Sequence, residues 1–206
     1  MQQLKEGFET GREALRSFGF TRIVSFTTPE VVGDGEALLA LAAGARGADL
    51  LVTTGGVSVG EYDVVKTVLS RLGEINFWRV AMKPGKPQAY GIADGKPIFG
   101  LPGNPVSSLV VFELFVRPAL LKMAGHTDLL RPTFKAVLEE DVANKDGRVS
   151  FMRAIIEQRD GKYYARTTGP QGSGILYSLV LANGFIVIPS GATLKAGDEI
   201  EAQFLG

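Results

Sequence analysis

The chain has 206 residues, no cysteine and a single histidine, His126, and its 22 basic residues balance its 22 acidic ones. The missing cysteines exclude thiol catalysis, disulfides and thiolate metal sites, so a bound metal would be a hard ion held by oxygen ligands. A nucleic-acid binder normally carries a basic excess, so zero net charge disfavours that class. No apolar run is long enough to span a membrane, and we expect a soluble cytoplasmic protein.

Residues 1–125 alternate between helix-like and strand-like segments. The strands are predicted at 21–28, 49–54, 75–82, 88–93 and 96–101, and the helices at 13–20, 35–47, 63–73 and 102–125. The continuous apolar run in 49–54 is typical of a buried parallel strand, and Asp94-Gly95 indicates a hairpin. We therefore predict an α/β domain with a mostly parallel sheet flanked by helices and an antiparallel hairpin near one edge.

The helix predicted at 102–125 carries clear start signals. Asn104 is a good N-cap residue, and Pro105 suits the first helical position. Pro118 is predicted to kink this helix or to end it early.

The pattern changes after Gly125, where a polar segment ends in Pro132. Short strands are predicted beyond it at 134–142, 148–158, 162–168, 184–190 and 198–205. Asp160-Gly161 and Gly197-Asp198 are turn signals between them. We predict a small all-β domain over residues 133–206, either a barrel or a sandwich, after an α/β domain over residues 1–125.

Two glycine-containing loops, "TTGGVSVGEYD" and "LPGNPVSS", each lead from a predicted strand into a helix. Ligands of open α/β sheets bind beyond the carboxyl ends of the strands, where backbone N–H groups and helix N-termini attract anions. The glycines could instead serve only tight turns, but two such loops on one edge favour a ligand. The candidate binding residues are Thr54, Gly55, Gly56, Ser58 and Gly60 in the first loop, and Pro102, Gly103, Asn104, Pro105 and Ser107 in the second.

Two acidic residues, Asp63 and Asp34, stand near predicted helix starts. An acidic residue there is favourable through the helix dipole alone, so capping is one interpretation. Beside a phosphate site, a carboxylate is also the usual ligand for Mg²⁺. Both interpretations stay open from the residues themselves.

Two further segments hold candidate anion ligands. In "MKPGKP", prolines stiffen the segment that carries Lys83 and Lys86, although solvated turns also favour lysine. The segment "TTGPQGSG" has an unusual density of glycine for a hairpin and contains Ser173. Arg153, inside the apolar strand "FMRAII", does not fit a solvent-facing position and is a candidate to reach a ligand.

The motifs "TTGGVSVGEYD", "FWRVAMKPGKP", "FGLPGNPVSS" and "TTGPQGSG", in this order, resemble the molybdopterin molybdenumtransferase family over roughly residues 49–206. The resemblance implies that the first glycine loop binds the pterin phosphate or the adenylate, and that Asp63 and Asp34 serve Mg²⁺. It also implies a molybdate pocket made by Lys83, Lys86, Arg153 and Ser173. The implied reaction is Mg²⁺-dependent insertion of molybdate into adenylylated molybdopterin with release of AMP.

Members of that family also carry earlier domains and a further acidic turn, and residues 1–48 show neither. We therefore expect a C-terminal portion that binds the pterin substrate but turns it over slowly. The resemblance further implies a homodimer and contact with the molybdopterin adenylyltransferase. Two alternatives are that adenylyltransferase itself, which should lack the β-rich tail, and a binding or scaffold module without turnover.

Overall fold

The computed structural model describes residues 48–55, 70–71, 73–93, 95–172 and 175–205. The helices and strands predicted before residue 48 lie outside this part, as does most of the helix predicted at 63–73. Ser70 and Arg71 are helical, as predicted for that segment. Six candidate site residues also lie outside the described part, namely Asp34, Gly56, Ser58, Gly60, Asp63 and Ser173.

Five strands come first along the described chain. They are β1 (Leu51–Thr54), β2 (Glu74–Arg79), β3 (Met82–Lys83), β4 (Pro87–Ala93) and β5 (Lys96–Leu101). Four of them form a sheet in the order β1-β5-β4-β2, in which β1 and β5 are parallel and the other two pairings are antiparallel. The predicted hairpin between β4 and β5 is confirmed, and Gly95 there has a φ of 73°.

The β2–β4 pair depends on a glycine in its middle. Gly91 faces Ile75 across the two strands. A Cβ atom added to Gly91 would lie 2.1 Å from the Glu74 carbonyl oxygen and 2.7 Å from the Ile75 Cα atom. Both neighbours are backbone atoms, so the two strands approach too closely there for any side chain.

A long helical segment follows β5. It comprises α1 (Pro105–Val111), a π-helical turn (Phe112–Val116) and α2 (Arg117–Met123). The segment continues past Pro118 to Met123, so of the two predicted effects, a kink or an early end, the early end is wrong. The proline lies in the first turn of α2, directly after the wider π-helical turn, where its missing N–H group is tolerated. No helix in the described ranges is long and apolar enough to cross a membrane.

The second half of the chain forms a closed barrel. Its strands are β6 (Phe134–Leu138), β7 (Val142–Ala143), β8 (Val149–Arg159), β9 (Lys162–Thr167), β10 (Gly184–Ile188), β11 (Thr193–Leu194) and β12 (Glu199–Phe204). Five of them pair in a ring, β6-β9-β8-β10-β12, which closes through β12 and β6. Asp160 and Gly161 both have positive φ, at 49° and 75°, as the tight turn between β8 and β9 requires. The predicted α/β fold followed by a small barrel is confirmed.

Three apolar clusters fill this architecture. One lies inside the barrel and one lies against β1, β4 and β5. The third joins β5, the helical segment and the barrel, and its buried members are Met82, Phe99, Leu101, Val110, Val111, Val116, Leu120 and Phe185. In addition, β3, which is not part of the first sheet, pairs in parallel with β8 of the barrel. The boundary drawn between residues 125 and 133 stays a prediction.

The close approach at Gly91 makes a testable prediction. We expect Gly91→Ala to lower the free energy of unfolding by about 1–3 kcal/mol, because the new methyl group forces the β2–β4 backbones apart. Urea unfolding measures the change. Gly147→Ala is the matched control, since a Cβ atom there would meet nothing within 4 Å. Equal midpoints for the two variants would contradict the prediction.

Candidate functional site

The carboxyl ends of β1 and β5 bring the two glycine-containing loops together. Thr54 is paired with Leu101, and the Gly55 N–H group donates a hydrogen bond of 2.9 Å to the Leu101 carbonyl oxygen. A Cβ atom added to Gly103 would lie only 3.2 Å from the Gly55 Cα atom. The backbones of the two loops therefore touch, as expected for neighbouring parallel strands whose loops leave the same edge.

The second of these loops is held by its own side chains. The Asn104 Oδ1 atom accepts hydrogen bonds from the N–H groups of Val106 at 3.1 Å and Ser107 at 3.3 Å, which confirms the predicted N-cap. The Ser108 hydroxyl donates to the Pro102 carbonyl oxygen. Two N–H groups at the start of α1 are thus already paired, and an anion bound here would use other donors of the loops.

The segment "MKPGKP" places its lysines beside a carboxylate of the barrel. The Lys83 Nζ atom lies 3.8 Å from the Asp146 carboxylate, which also accepts a hydrogen bond of 2.7 Å from the Arg148 Nε atom. The Arg148 hydrogen bond, with the charges of Arg148, Lys83 and Lys86, holds the pKa of Asp146 below its usual range. We call Lys83, Lys86 and Arg148 the cation cluster; with Asp146 it carries a net charge of two positive units.

Hydrogen bonds to backbone carbonyl oxygens fix both sides of the cation cluster. On the lysine side, the Val80 N–H group donates to the Lys86 carbonyl at 2.9 Å, and Gln88 Nε2 donates to the Gly85 carbonyl at 2.9 Å. On the barrel side, the buried Asn144 amide donates to the carbonyl oxygens of Arg148 at 2.8 Å and Pro189 at 3.0 Å.

Arg153 is almost completely buried, with 1% of its surface exposed. Its Nε atom donates to the Ser178 hydroxyl at 2.6 Å, and its Nη2 atom donates to the Gly172 carbonyl oxygen at 3.2 Å. Burial lowers the pKa of the guanidinium, which nevertheless stays protonated at neutral pH. In the described part of the chain, every atom that accepts a hydrogen bond from the Arg153 side chain is neutral, so no carboxylate there cancels its charge.

The glycine-rich loop at 168–172 is attached to β8 at the same residue. The Arg153 N–H group donates to Gln171 Oε1 at 2.9 Å, and Gln171 Nε2 donates to the carbonyl oxygens of Arg153 at 3.2 Å and Gly169 at 2.9 Å. Both the backbone and the side chain of Arg153 thus determine the position of this loop, which leads to Ser173.

The candidate anion ligands form two neighbouring groups. Lys83 pairs with Ser150 on β8, and Arg153 follows three residues later, about 10 Å along the strand. Lys83 contacts Asp146, whereas Arg153 contacts residues 170–178. Among the described residues, no three carboxylate or imidazole side chains lie together as a metal site. Asp34 and Asp63 lie outside that part of the chain, so their fit to Mg²⁺ is not shown.

Sequence reasoning missed Asp146, Arg148 and Ser178. Asp146 and Lys83 are 63 positions apart, and only the β3–β8 pairing brings them together. Ser178 belongs to the short helix α3 (Tyr177–Leu181), whose five residues are too few to show a helical period in the sequence. Local pattern carries no signal for either contact.

An α/β sheet with glycine loops on its carboxyl edge, joined to a small closed barrel, is the architecture of a known class. Residues 10–122 match the family described as "Probable molybdopterin binding domain", and residues 135–205 match the "MoeA C-terminal region (domain IV)". The chain belongs to this molybdopterin-binding family and continues into that MoeA region, which confirms the resemblance inferred from the motifs.

Similar proteins support this family assignment. The chain is 40% identical over 159 residues to the molybdopterin molybdenumtransferase of Haemophilus influenzae, a match that covers 76% of this chain and 39% of the relative. It is 42% identical over 161 residues to molybdopterin molybdenumtransferase 2 of Mycobacterium tuberculosis, covering 75% and 39%. The chain therefore spans about two fifths of the length of these relatives.

Solved structures show the same fold. A molybdopterin biosynthesis MoeA protein from Pyrococcus horikoshii matches with a TM-score of 0.65 and 26% identity, covering 89% of this chain and 41% of that one. A molybdenum cofactor biosynthesis protein from Pyrococcus furiosus matches with a TM-score of 0.65 and 28% identity, covering 89% and 57%.

The contacts of Arg153 make a second prediction. Ser178→Ala leaves the buried Arg153 Nε atom without its acceptor, so we expect a loss of about 1.5–3 kcal/mol in the free energy of unfolding. Urea unfolding followed by circular dichroism measures it. Ser190→Ala is the control, because the exposed Ser190 hydroxyl makes only a long contact of 3.4 Å with the Asp146 carbonyl. A Ser178 variant as stable as the control would rule this role out.

Proposed function

We propose that this chain takes part in molybdenum cofactor biosynthesis by inserting molybdate into adenylylated molybdopterin with release of AMP. The observation that carries the proposal is the contact between Gly55 and Gly103, which joins two backbone loops at one edge of the sheet. Such paired loops suit the phosphate groups of a nucleotide-linked pterin. The relatives are molybdopterin molybdenumtransferases, and they supply the reaction class of the proposal.

We place molybdate at Lys83 and Lys86, with Arg153 and Ser173 completing the pocket. A tetrahedral dianion needs several fixed positive donors, and Lys83 and Lys86 lie on a segment fastened by Val80 and Gln88. Arg153 contributes a positive charge, whose hydrogen-bond acceptors among the described residues are neutral, and it holds the loop that leads to Ser173. The substrate supplies the dithiolene sulfurs, so the absence of cysteine agrees with this chemistry.

Mg²⁺ enters the proposal from the resemblance alone. Asp63 and Asp34 would hold the ion, and its chemistry would be charge neutralisation at the phosphates. A homodimer, contact with the adenylyltransferase and a cytoplasmic location likewise stay predictions. Adenylyltransferase activity is the weaker alternative, because the β-rich tail expected to be absent from that enzyme is present as residues 135–205.

The pocket predicts the effect of removing single charges. Lys83→Ala and Lys86→Ala should each weaken molybdate binding about tenfold to a hundredfold, since a hydrogen bond to a charged group contributes about 1.5–3 kcal/mol. Calorimetric titration with molybdate measures the change. Affinity for the pterin should stay nearly constant.

Lys122→Ala is the matched control, because Lys122 is an exposed lysine in the last turn of α2. Unchanged molybdate affinity in both pocket variants would show that the two lysines are ordinary solvated side chains.

Turnover separates an enzyme from a binding module. We expect the chain to bind adenylylated molybdopterin and to release AMP slowly in the presence of molybdate and Mg²⁺. Asp63→Asn should reduce the Mg²⁺ dependence of binding while the fold is retained. Calorimetry measures binding and chromatography of the nucleotide measures release. Binding without any AMP release would favour the binding module, and absence of binding would overturn the proposal.

A further inference from the structure

A single carboxylate lies among the positive charges of the cation cluster. Asp146 accepts a hydrogen bond from Arg148 and lies 3.8 Å from the Lys83 ammonium group. Lys83 is half exposed, with 50% of its side chain accessible, whereas Asp146 is 25% accessible. The lysine can therefore turn toward a ligand while the carboxylate stays in place.

The Asp146 backbone is fixed independently of these ion pairs. Its N–H group donates to Asn144 Oδ1 at 3.2 Å, and its carbonyl oxygen accepts from the Gly191 N–H group at 3.3 Å. The Asn144 side chain is itself buried and bonded to the barrel. Asp146 is thus a negative charge that the barrel holds against the lysines whether or not a ligand is present.

We propose that Asp146 is an internal counter-anion of the cation cluster and sets how strongly the cluster binds a dianion relative to a monoanion. The inference rests on the proposed function, since it assumes that an oxyanion binds at Lys83 and Lys86. A bound oxyanion is repelled by the carboxylate in proportion to its own charge. The penalty on a dianion, expressed as free energy, is twice the penalty on a monoanion of the same size.

This proportion gives a quantitative expectation for the variant Asp146→Asn. At a separation of about 6 Å in a mostly hydrated site, one charge pair is worth about a fivefold change in affinity. The variant should bind a tetrahedral monoanion about fivefold more tightly and a tetrahedral dianion about twenty-five-fold more tightly. Arg148 donates to both carboxylate oxygens, through Nε and Nη2, and the asparagine oxygen can still accept one of these hydrogen bonds. The backbone hydrogen bonds of residue 146 to Asn144 and Gly191 do not involve the carboxylate, so the loop is still held.

The test is calorimetric titration of the 206-residue chain with molybdate, a tetrahedral dianion, and with perrhenate, a tetrahedral monoanion, at one fixed ionic strength. Asp160→Asn is the control for the change of net charge. Asp160 lies at the far end of the eleven-residue strand β8, about 30 Å from the cluster, and asparagine tolerates its positive φ. Asp146→Glu keeps the charge and should show no gain for either anion.

The inference is supported if Asp146→Asn raises the affinity for molybdate by the square of the factor by which it raises the affinity for perrhenate. Asp160→Asn should raise neither affinity. Binding of molybdate by the Asp146→Asn variant but not by the unmodified chain supports it as well. Weaker binding by the variant, unchanged binding, or equal gains for the two anions would overturn it while leaving the proposed molybdate pocket intact. If neither protein binds molybdate, the inference and the pocket both fail.

Discussion

The pairing of β3 with β8 is the constraint on which the candidate site depends. Two residues make this pairing, and they face opposite environments: Met82 is 3% exposed and belongs to the apolar cluster shared by sheet, helix and barrel, whereas Lys83 is exposed and meets Asp146. Burial of Met82 therefore fixes the backbone of Lys83, which a surface ion pair could not hold in place because such a pair contributes little energy. The Asp146 loop of the barrel supplies the carboxylate, and β3 supplies the lysine.

Arg153 and Lys83 show two different ways of keeping a positive charge next to a site. A buried guanidinium loses its hydration, and hydrogen bonds must replace what it loses. Arg153 obtains them from Ser178 and Gly172, which are neutral, so within the described part of the chain its charge is hydrogen-bonded without being paired to a carboxylate. Lys83 keeps most of its hydration and has Asp146 nearby. The first arrangement fixes a loop, and the second leaves an exposed donor beside a carboxylate.

Local chemistry accounts for the parts of the structure that the sequence could predict. The apolar run of β1, the hairpin between β4 and β5, the Asn104 cap and the barrel strands all follow from residues close together in the chain. Asp146 could not be assigned in this way, because its role depends on a pairing between residues more than 60 positions apart. Pro118 differs from both. Proline disturbs a helix because it lacks an N–H group, but here it follows a π-helical turn, where the missing N–H group is tolerated.

The glycine loops show why a pre-formed site restricts its ligand. Asn104 already satisfies the N–H groups of Val106 and Ser107, and Gly55 already donates to Leu101. A loop held in this way loses little conformational entropy when a ligand binds, which favours affinity. The same hydrogen bonds remove three donors from the set that a phosphate could use. In the proposed binding mode, recognition of a phosphate would fall on the remaining loop donors and on side chains such as Thr54, which is exposed next to the Gly55–Gly103 contact.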